Sequence, residues 1–220
     1  MNESLNDNTI GLFEGNIPES CHVCLIYDND EQRQKIVSEY LAAGLRKGEL
    51  VRYFTDNTAP EKVRSWLMEL GVDLSEAENT GSFSMLKAEN AYCPNGKFEP
   101  QNMIDATLLR YNQAQEAGYS GSRACGEMTW ALKDIPGSNQ LLEYEVLLNT
   151  VISAFPHTGM CQYDARIFDG ASLFKVLQVH PFMIAHGQIL SNPYYIRPEE
   201  YTAEIENKKK DTIQPMKGGK

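Results

Sequence analysis

No stretch of the 220 residues approaches the run of about eighteen apolar positions that a membrane-spanning helix needs, and Met1 to Ile10 is polar where a signal peptide would be greasy. Basic charge is short as well. Against 30 Asp and Glu stand 20 Lys and Arg, for a net charge of −10 and a pI near 4.9. Such a surface repels nucleic acid and anionic lipid, so neither direct nucleic-acid binding nor membrane association is expected, and the chain reads as cytoplasmic. Cysteine is sparse and odd in number, at Cys21, Cys24, Cys93, Cys125 and Cys161. A chain large enough to bury its own core needs no staples, so these read as reduced thiols. No linker and no internal repeat divides the chain, which argues for one compact domain.

The absence with the largest consequence lies inside the first structural unit. Val23 to Tyr27 is a short apolar run bounded by polar residues and reads as a buried strand. Ile36, Val37, Tyr40, Leu41, Gly44 and Leu45 then recur at helical spacing, Gly48 stops that helix, and Leu50 to Thr55 resumes an extended run. A strand–helix–strand unit of this length implies neighbouring or near-neighbouring parallel strands. In nucleotide-binding units of this kind the strand-to-helix turn is rich in glycine and carries a lysine, so that backbone N–H groups and the helix dipole hold a phosphate. Here the turn is Asp28-Asn29-Asp30-Glu31, with neither residue type. Asp28 and Glu31 have capping-box spacing, and the clustered negative charge disfavours a phosphate by several kcal/mol at intermediate dielectric.

The order and spacing of several segments carry a resemblance. They are His22-x-Cys24-x-x-Tyr27 before the acidic turn, Gly44-Leu45-Arg46-Lys47-Gly48-Glu49, Gly126-Glu127-Met128-Thr129-Trp130-Ala131-Leu132, and His180-Pro181 ahead of Asn192-Pro193-Tyr194-Tyr195. Together they span about residues 20 to 196. The chain resembles the MEDS domain, the sensory family named for methanogens, methylotrophs and the DcmR repressor, and its opening resembles the RecA/KaiC-type ATPases with the phosphate loop erased. The resemblance implies a RecA-like core without ATPase activity that senses small hydrocarbon derivatives and is often joined to kinase or DNA-binding modules.

The remaining chain alternates in the same manner. Pro60 opens a helix with Val63, Leu67 and Leu70 on one face, and residues 72–81 read as an acidic connector. Ser82 to Ala88 is a third strand, and Asn90 to Pro100 a loop that could act as a lid. Gln101 to Gly118 contains a helix, Gly121 to Thr129 a strand, and Leu141 to Phe155 the most apolar helix. Met160 to Phe168 is a strand, Asp169 caps the next helix, and Phe182 to Leu190 is a last extended run. The expected architecture is α/β, a single domain over residues 20–200 with a mostly parallel sheet covered by helices on both faces. Residues 1–19 are expected to be loose, and 201–220 to form a polar, disordered tail.

Ligands of such sheets bind beyond the carboxyl ends of the strands. That rule selects Tyr27, Asp28, Asp56, Glu127, Trp130 and Asp164 as the ligand-binding set. Glu127 lies where the resembled ATPases keep a magnesium ligand, on a strand beside the first. It reads either as a polar anchor in an apolar pocket walled by Trp130, or as a hydrogen-bonded turn residue beside a core tryptophan. Asp56 follows the second strand, where the resemblance places a catalytic acid, yet Thr55-Asp56-Asn57-Thr58 before Pro60 is also a helix-capping turn. Tyr27 could stack on a ligand, Asp28 is at least a cap, and Asp164 could instead pair with Arg166.

Cys21-His22-x-Cys24 resembles half a zinc site, but no second pair follows and strand alternation sends the two thiols to opposite faces. His22 is expected to satisfy a backbone group. No catalytic residue, metal or cofactor is expected; a nucleophile at Cys125 would lack a nameable base. The preferred reading is a non-catalytic sensor of a small, mainly apolar organic ligand that signals to a partner such as a kinase or transcription regulator, with a homodimer one means of doing so. The alternative is a divergent nucleotide-binding protein or enzyme in which Asp56, Glu127 or Asp164 does acid–base work.

Overall fold

The computed structural model describes residues 20–185 and 187–203. The expectations for residues 1–19 and for most of the C-terminal tail fall outside them. In chain order the elements are β1 (Cys21–Tyr27), α1 (Asp30–Arg46), β2 (Leu50–Thr55), α2 (Pro60–Glu69), α3 (Leu74–Asn79), β3 (Phe83–Lys87), α4 (Ala88–Tyr92) and α5 (Pro100–Glu116). They continue with β4 (Ser122–Glu127), α6 (Leu141–Ile152), β5 (His157–Asp164), α7 (Gly170–Val179), β6 (Phe182–Ala185) and β7 (Gln188–Ser191). The sheet order is β3-β2-β4-β5-β1-β6-β7, parallel except for β7, which returns antiparallel to β6.

Strand alternation builds two cores. On one face Val23, Leu25 and Tyr27 of β1 meet Ile36, Val37, Tyr40 and Leu41 of α1 and Val63, Trp66 and Leu67 of α2. On the other, Cys24 faces the layer built from α4 to α7, with Met103, Ile104, Tyr144, Leu148, Ile152 and Val176. Cys21 and Cys24 thus lie on opposite faces, as the period of two requires.

Several boundaries differ from the sequence reading. The acidic connector contains α3, which Asp73 caps by accepting from the Glu76 amide. The candidate lid loop begins with the last turn of α4. β5 starts at His157, because polar Thr158 and the preceding turn hide a strand whose eight residues are all buried. The last extended run is a hairpin, β6 and β7, turned at Gly187 with φ +70°. The first and second strands are not near neighbours: β5 and β4 lie between them.

One glycine reports on the packing. Gly44 lies inside α1, where Ala would ordinarily gain about 1 kcal/mol. A Cβ there would lie 2.8 Å from Arg123 Cδ and Nε. Arg123 cannot swing away, since its buried guanidinium is ion-paired to Glu49 and donates to the Tyr40 carbonyl. Gly44→Ala is therefore expected to destabilise by about 1–3 kcal/mol instead of stabilising, read as a lower urea midpoint at unchanged m-value.

Burial holds the His157 imidazole down at about 3, beside the Ser122 hydroxyl at 2.7 Å. The unfolded chain protonates this group first, so its stability contribution is whole above the ordinary histidine value of about 6.5 and declines as pH falls toward 3. From pH 7 to 5 the expected loss is about 2 kcal/mol, and His157→Gln is expected to flatten that part of a denaturation-versus-pH profile.

Candidate functional site

The crest of the sheet is built from the residues that end β1, β2, β4 and β5. Asn29, not Asp28, is the N-cap of α1, and its side chain accepts from the Gln32 amide. Asp28, Asp30 and Glu31 remain at the entrance to the helix as uncompensated or externally paired charge, so the helix start is both capped and acidic.

Behind that entrance, Glu127 at the end of β4 is almost wholly buried. Its Oε2 accepts the backbone N–H groups of Asp56, Asn57 and Thr58 at 3.1, 2.7 and 3.1 Å, and its Oε1 accepts the Tyr53 hydroxyl at 2.8 Å. Arg33, one turn into α1, closes the pair at 3.0 Å from Oε1. Its remaining N–H groups go to Gln162 at 2.8 Å, Thr58 at 2.9 Å and Tyr53 at 3.1 Å, and the guanidinium lies 4.9 Å from the centre of the Tyr27 ring. Five donors converge on one carboxylate, which is what a buried charge requires. The turn after β2 therefore folds around Glu127, and α2 begins at Pro60 behind Ala59, with no side-chain cap from Asp56 or Thr58.

The other nominated acids have partners of their own. Asp56 is held by Lys133 at 2.6 Å and by the Thr129 hydroxyl at 2.7 Å. Asp164 accepts from Arg166 through Nε at 2.8 Å and Nη2 at 2.7 Å, and those hydrogen bonds hold its carboxyl below the usual range. Arg166 also reaches Asp30 at 2.8 Å. The strand carrying Glu127 is not adjacent to β1, since β5 intervenes. Trp130 is fully buried and stacks on Tyr92 at 4.9 Å, with the tilted Phe98 ring 4.8 Å away. Asp28 faces solvent at the mouth of an open groove of about 760 Å³ between α1 and α2, where Glu31, Glu39 and Glu69 outnumber Lys35.

Sequence reasoning did not find Arg33, Tyr53, Thr58 or Gln162. The signal for Arg33 was present: it stands three residues before Ile36 and four before Val37, a charge on the apolar stripe of α1. His22 does not satisfy a backbone group. Its Nδ1 meets Asn149 Oδ1 at 2.8 Å and its Nε2 meets Glu145 at 3.1 Å. Cys125 is buried with its thiol pushed up, and it faces the Gln162 amide at 3.1 Å.

Removing one partner of a buried pair strands the other charge. Glu127→Gln and Arg33→Met are each expected to cost about 3–5 kcal/mol in urea denaturation, and the double variant to fall short of their sum by about 1–3 kcal/mol.

The fold is similar to that of solved structures. A KaiC-like protein of Pyrococcus horikoshii OT3 matches with a TM-score of 0.54 at 14% identity, over 77% of this chain and 72% of that one. The flagellar accessory protein FlaH of Methanocaldococcus jannaschii matches with a TM-score of 0.53 at 10% identity, over 86% of this chain and 82% of that one. At such identities the likeness is one of fold. In sequence, the chain is 29% identical over 164 residues to the transcriptional repressor DcmR of Methylorubrum extorquens (strain DSM 6343 / CIP 106787 / DM4), covering 72% of this chain. It spans 57% of the repressor's length. Among the described residues no helix is long and apolar enough to cross a membrane. The fold is that of the KaiC-like structure above, residues 21–181 match the family described as the MEthanogen/methylotroph, DcmR Sensory domain, and the chain belongs to that MEDS family.

Proposed function

We propose that this domain is a non-catalytic sensor of a small, mainly apolar organic molecule, a hydrocarbon derivative being the class that fits best, and that it reports to a regulatory partner such as a kinase or transcription regulator. The observation that carries the reading is the closure of the crest. Glu127, Asp56 and Asp164, the acids available for acid–base work or magnesium, are each bound to a cation of the protein itself. The helix start that would hold phosphate offers a capped turn and three acidic side chains.

Directly beneath the crest lies a small hollow of about 20 Å³, lined by Phe54, Tyr92, Met103, Gly126, Tyr144 and Cys161 among others. Phe54 of β2 and Gly126 of β4 line it, and Asp56 and Glu127 follow them at the carboxyl ends of those two strands, so the hollow and the crest share the ends of β2 and β4. Its size suits about one water, so a ligand of a few carbons enters only a state in which the α5–α6 layer has eased outward. That differential affinity for two packings is what a sensor needs. Trp130 supplies a further argument. Its Nε1 is buried without a hydrogen-bond partner among the described residues, while its ring stacks on Tyr92 of the lining. An apolar body with one oxygen acceptor would satisfy it. In this proposal Trp130 contacts the ligand, Glu127 and Asp56 sense a shift of the ends of β2 and β4, and Tyr27, Asp28 and Asp164 form the rim from which the change is read.

Thermal denaturation with a panel of one- to four-carbon alcohols, aldehydes and halocarbons tests this. At least one is expected to raise Tm, equivalent to about 2.7 kcal/mol at a hundredfold excess over Kd, with MgATP giving no shift. Magnesium-dependent stabilisation by ATP, or a panel without effect, would overturn the reading. Light scattering with and without the active compound checks whether the signal passes through a homodimer.

A further inference from the structure

On the opposite face of the sheet from Arg33, four ligand-type side chains converge from four elements. They are His22 of β1, Cys161 of β5, Glu145 of α6 and His180 at the end of α7. One donor atom from each lies within 4.8 Å of all the others, and all four residues are buried. We infer that His22, Glu145, Cys161 and His180 form a closed binding site for one divalent transition-metal ion of zinc type, independent of the ligand reading above.

Four of the donor–donor distances lie close to those of a coordination shell. Ligands bonded at about 2.0–2.3 Å around a tetrahedral ion stand about 3.3–3.8 Å from one another. Here Glu145 Oε2 is 3.1 Å from His22 Nε2, 3.7 Å from His180 Nε2 and 3.5 Å from Cys161 Sγ, and Cys161 Sγ is 3.5 Å from His22 Nε2.

The surrounding hydrogen bonds fix which atoms face the centre. Asn149 donates its amide N–H to the Val179 carbonyl at 2.7 Å, which turns its Oδ1 toward His22 Nδ1 at 2.8 Å. An acceptor there places the proton on Nδ1 and leaves the Nε2 lone pair directed at the cluster. His180 Nδ1 lies 2.8 Å from the Val176 carbonyl, which can only accept, so its Nε2 lone pair is directed inward as well. The Tyr163 hydroxyl donates to Glu145 Oε1 at 2.6 Å and leaves Oε2 for the centre. Every outer partner thus prepares its ligand for a cation.

A buried ion pair is the simpler alternative, with a proton on His22 Nε2 shared with Glu145. It leaves His180 Nε2, fully buried, with a lone pair facing a carboxylate and no hydrogen-bond partner among the described residues. A divalent ion removes that defect. Two neutral imidazoles, one carboxylate and one thiolate make the occupied site electrically neutral, the thiol proton leaving to solvent. A mixed nitrogen, oxygen and sulfur set suits zinc better than magnesium or calcium.

The test uses the full chain, unfolded with chelator and refolded with Zn2+ or Co2+. One tightly held equivalent of zinc per chain is expected by elemental analysis. The cobalt form is expected to show tetrahedral d–d bands together with a thiolate-to-cobalt charge-transfer band. Cys161→Ser should abolish that band and His180→Ala should lose the stoichiometric metal, whereas Cys24→Ser, a neighbour outside the set, should keep both. Asn149→Ala should weaken zinc about 10–100-fold through loss of the His22 orientation. A refolded wild-type chain with no stoichiometric zinc, a cobalt spectrum without the thiolate band, or folded Cys161→Ser and His180→Ala variants that bind as the wild type does would each overturn the site. The wild-type spectrum decides the matter even where a variant fails to fold.

Discussion

A carboxylate taken out of water at the top of a parallel sheet constrains everything around it. Glu127 cannot be buried unless donors surround it, and the donors come from three separate segments: the turn after β2, the Tyr53 hydroxyl in β2 and the guanidinium of Arg33 in α1. The β2–α2 turn takes its shape from presenting three successive N–H groups to one oxygen. Arg33 in turn needs Gln162 and Thr58 for its other protons, which ties the start of α1 to β5. Anion and cation are thus both built into the chain, and the crest is closed by groups that cost several kcal/mol each to unpair.

The same strand alternation that separates the two apolar cores separates two polar clusters. Along β5, Gln162 turns toward Arg33 and the α1 face, while Cys161 and Tyr163 turn toward Glu145 and the α6 face. Along β4, Glu127 serves the first cluster and Gly126 borders the hollow on the second side. The glycine is required there, because a Cβ would lie 2.2 Å from the Tyr92 hydroxyl and 2.7 Å from Met128 Cε. A ligand entering that hollow would press on the Tyr92–Trp130 stack, on the Cys161 corner of the four-residue cluster and, through Gly126 and Phe54, on the carboxyl ends of β4 and β2. The sensory reading and the metal reading therefore concern one side of one sheet and meet at Cys161, although the observations that carry them differ.

Much of the fold was legible because its signals are local. Helix α1 shows its stripe, Gly48 shows its end, and the alternation of short apolar runs with amphipathic stretches implies a mostly parallel sheet. The errors fall where local signals mislead. β5 is buried on both faces and tolerates His157, Thr158 and Gln162 because other parts of the chain satisfy them, so its polar residues obscured its first turn. The acidic segment 72–81 concealed α3, whose cap at Asp73 is the sort of residue that also marks a loop. The order in which parallel strands sit side by side is not written in any one of them, and β5 and β4 come between β1 and β2 for reasons of global packing.

By itself, the sequence determined the class of fold and the charge of the first turn, since periodicity and local electrostatics depend only on neighbours along the chain. It also marked Glu127, Asp56 and Asp164 as acids at strand ends. Only the tertiary structure decided what those acids do, because their partners Arg33, Lys133 and Arg166 are assigned by packing and not by spacing. The same holds for His22 and Glu145, more than a hundred residues apart, and for His180 and Cys161. A polar residue on an apolar stripe announces that a partner exists; which partner it meets is fixed by the way the sheet is wound.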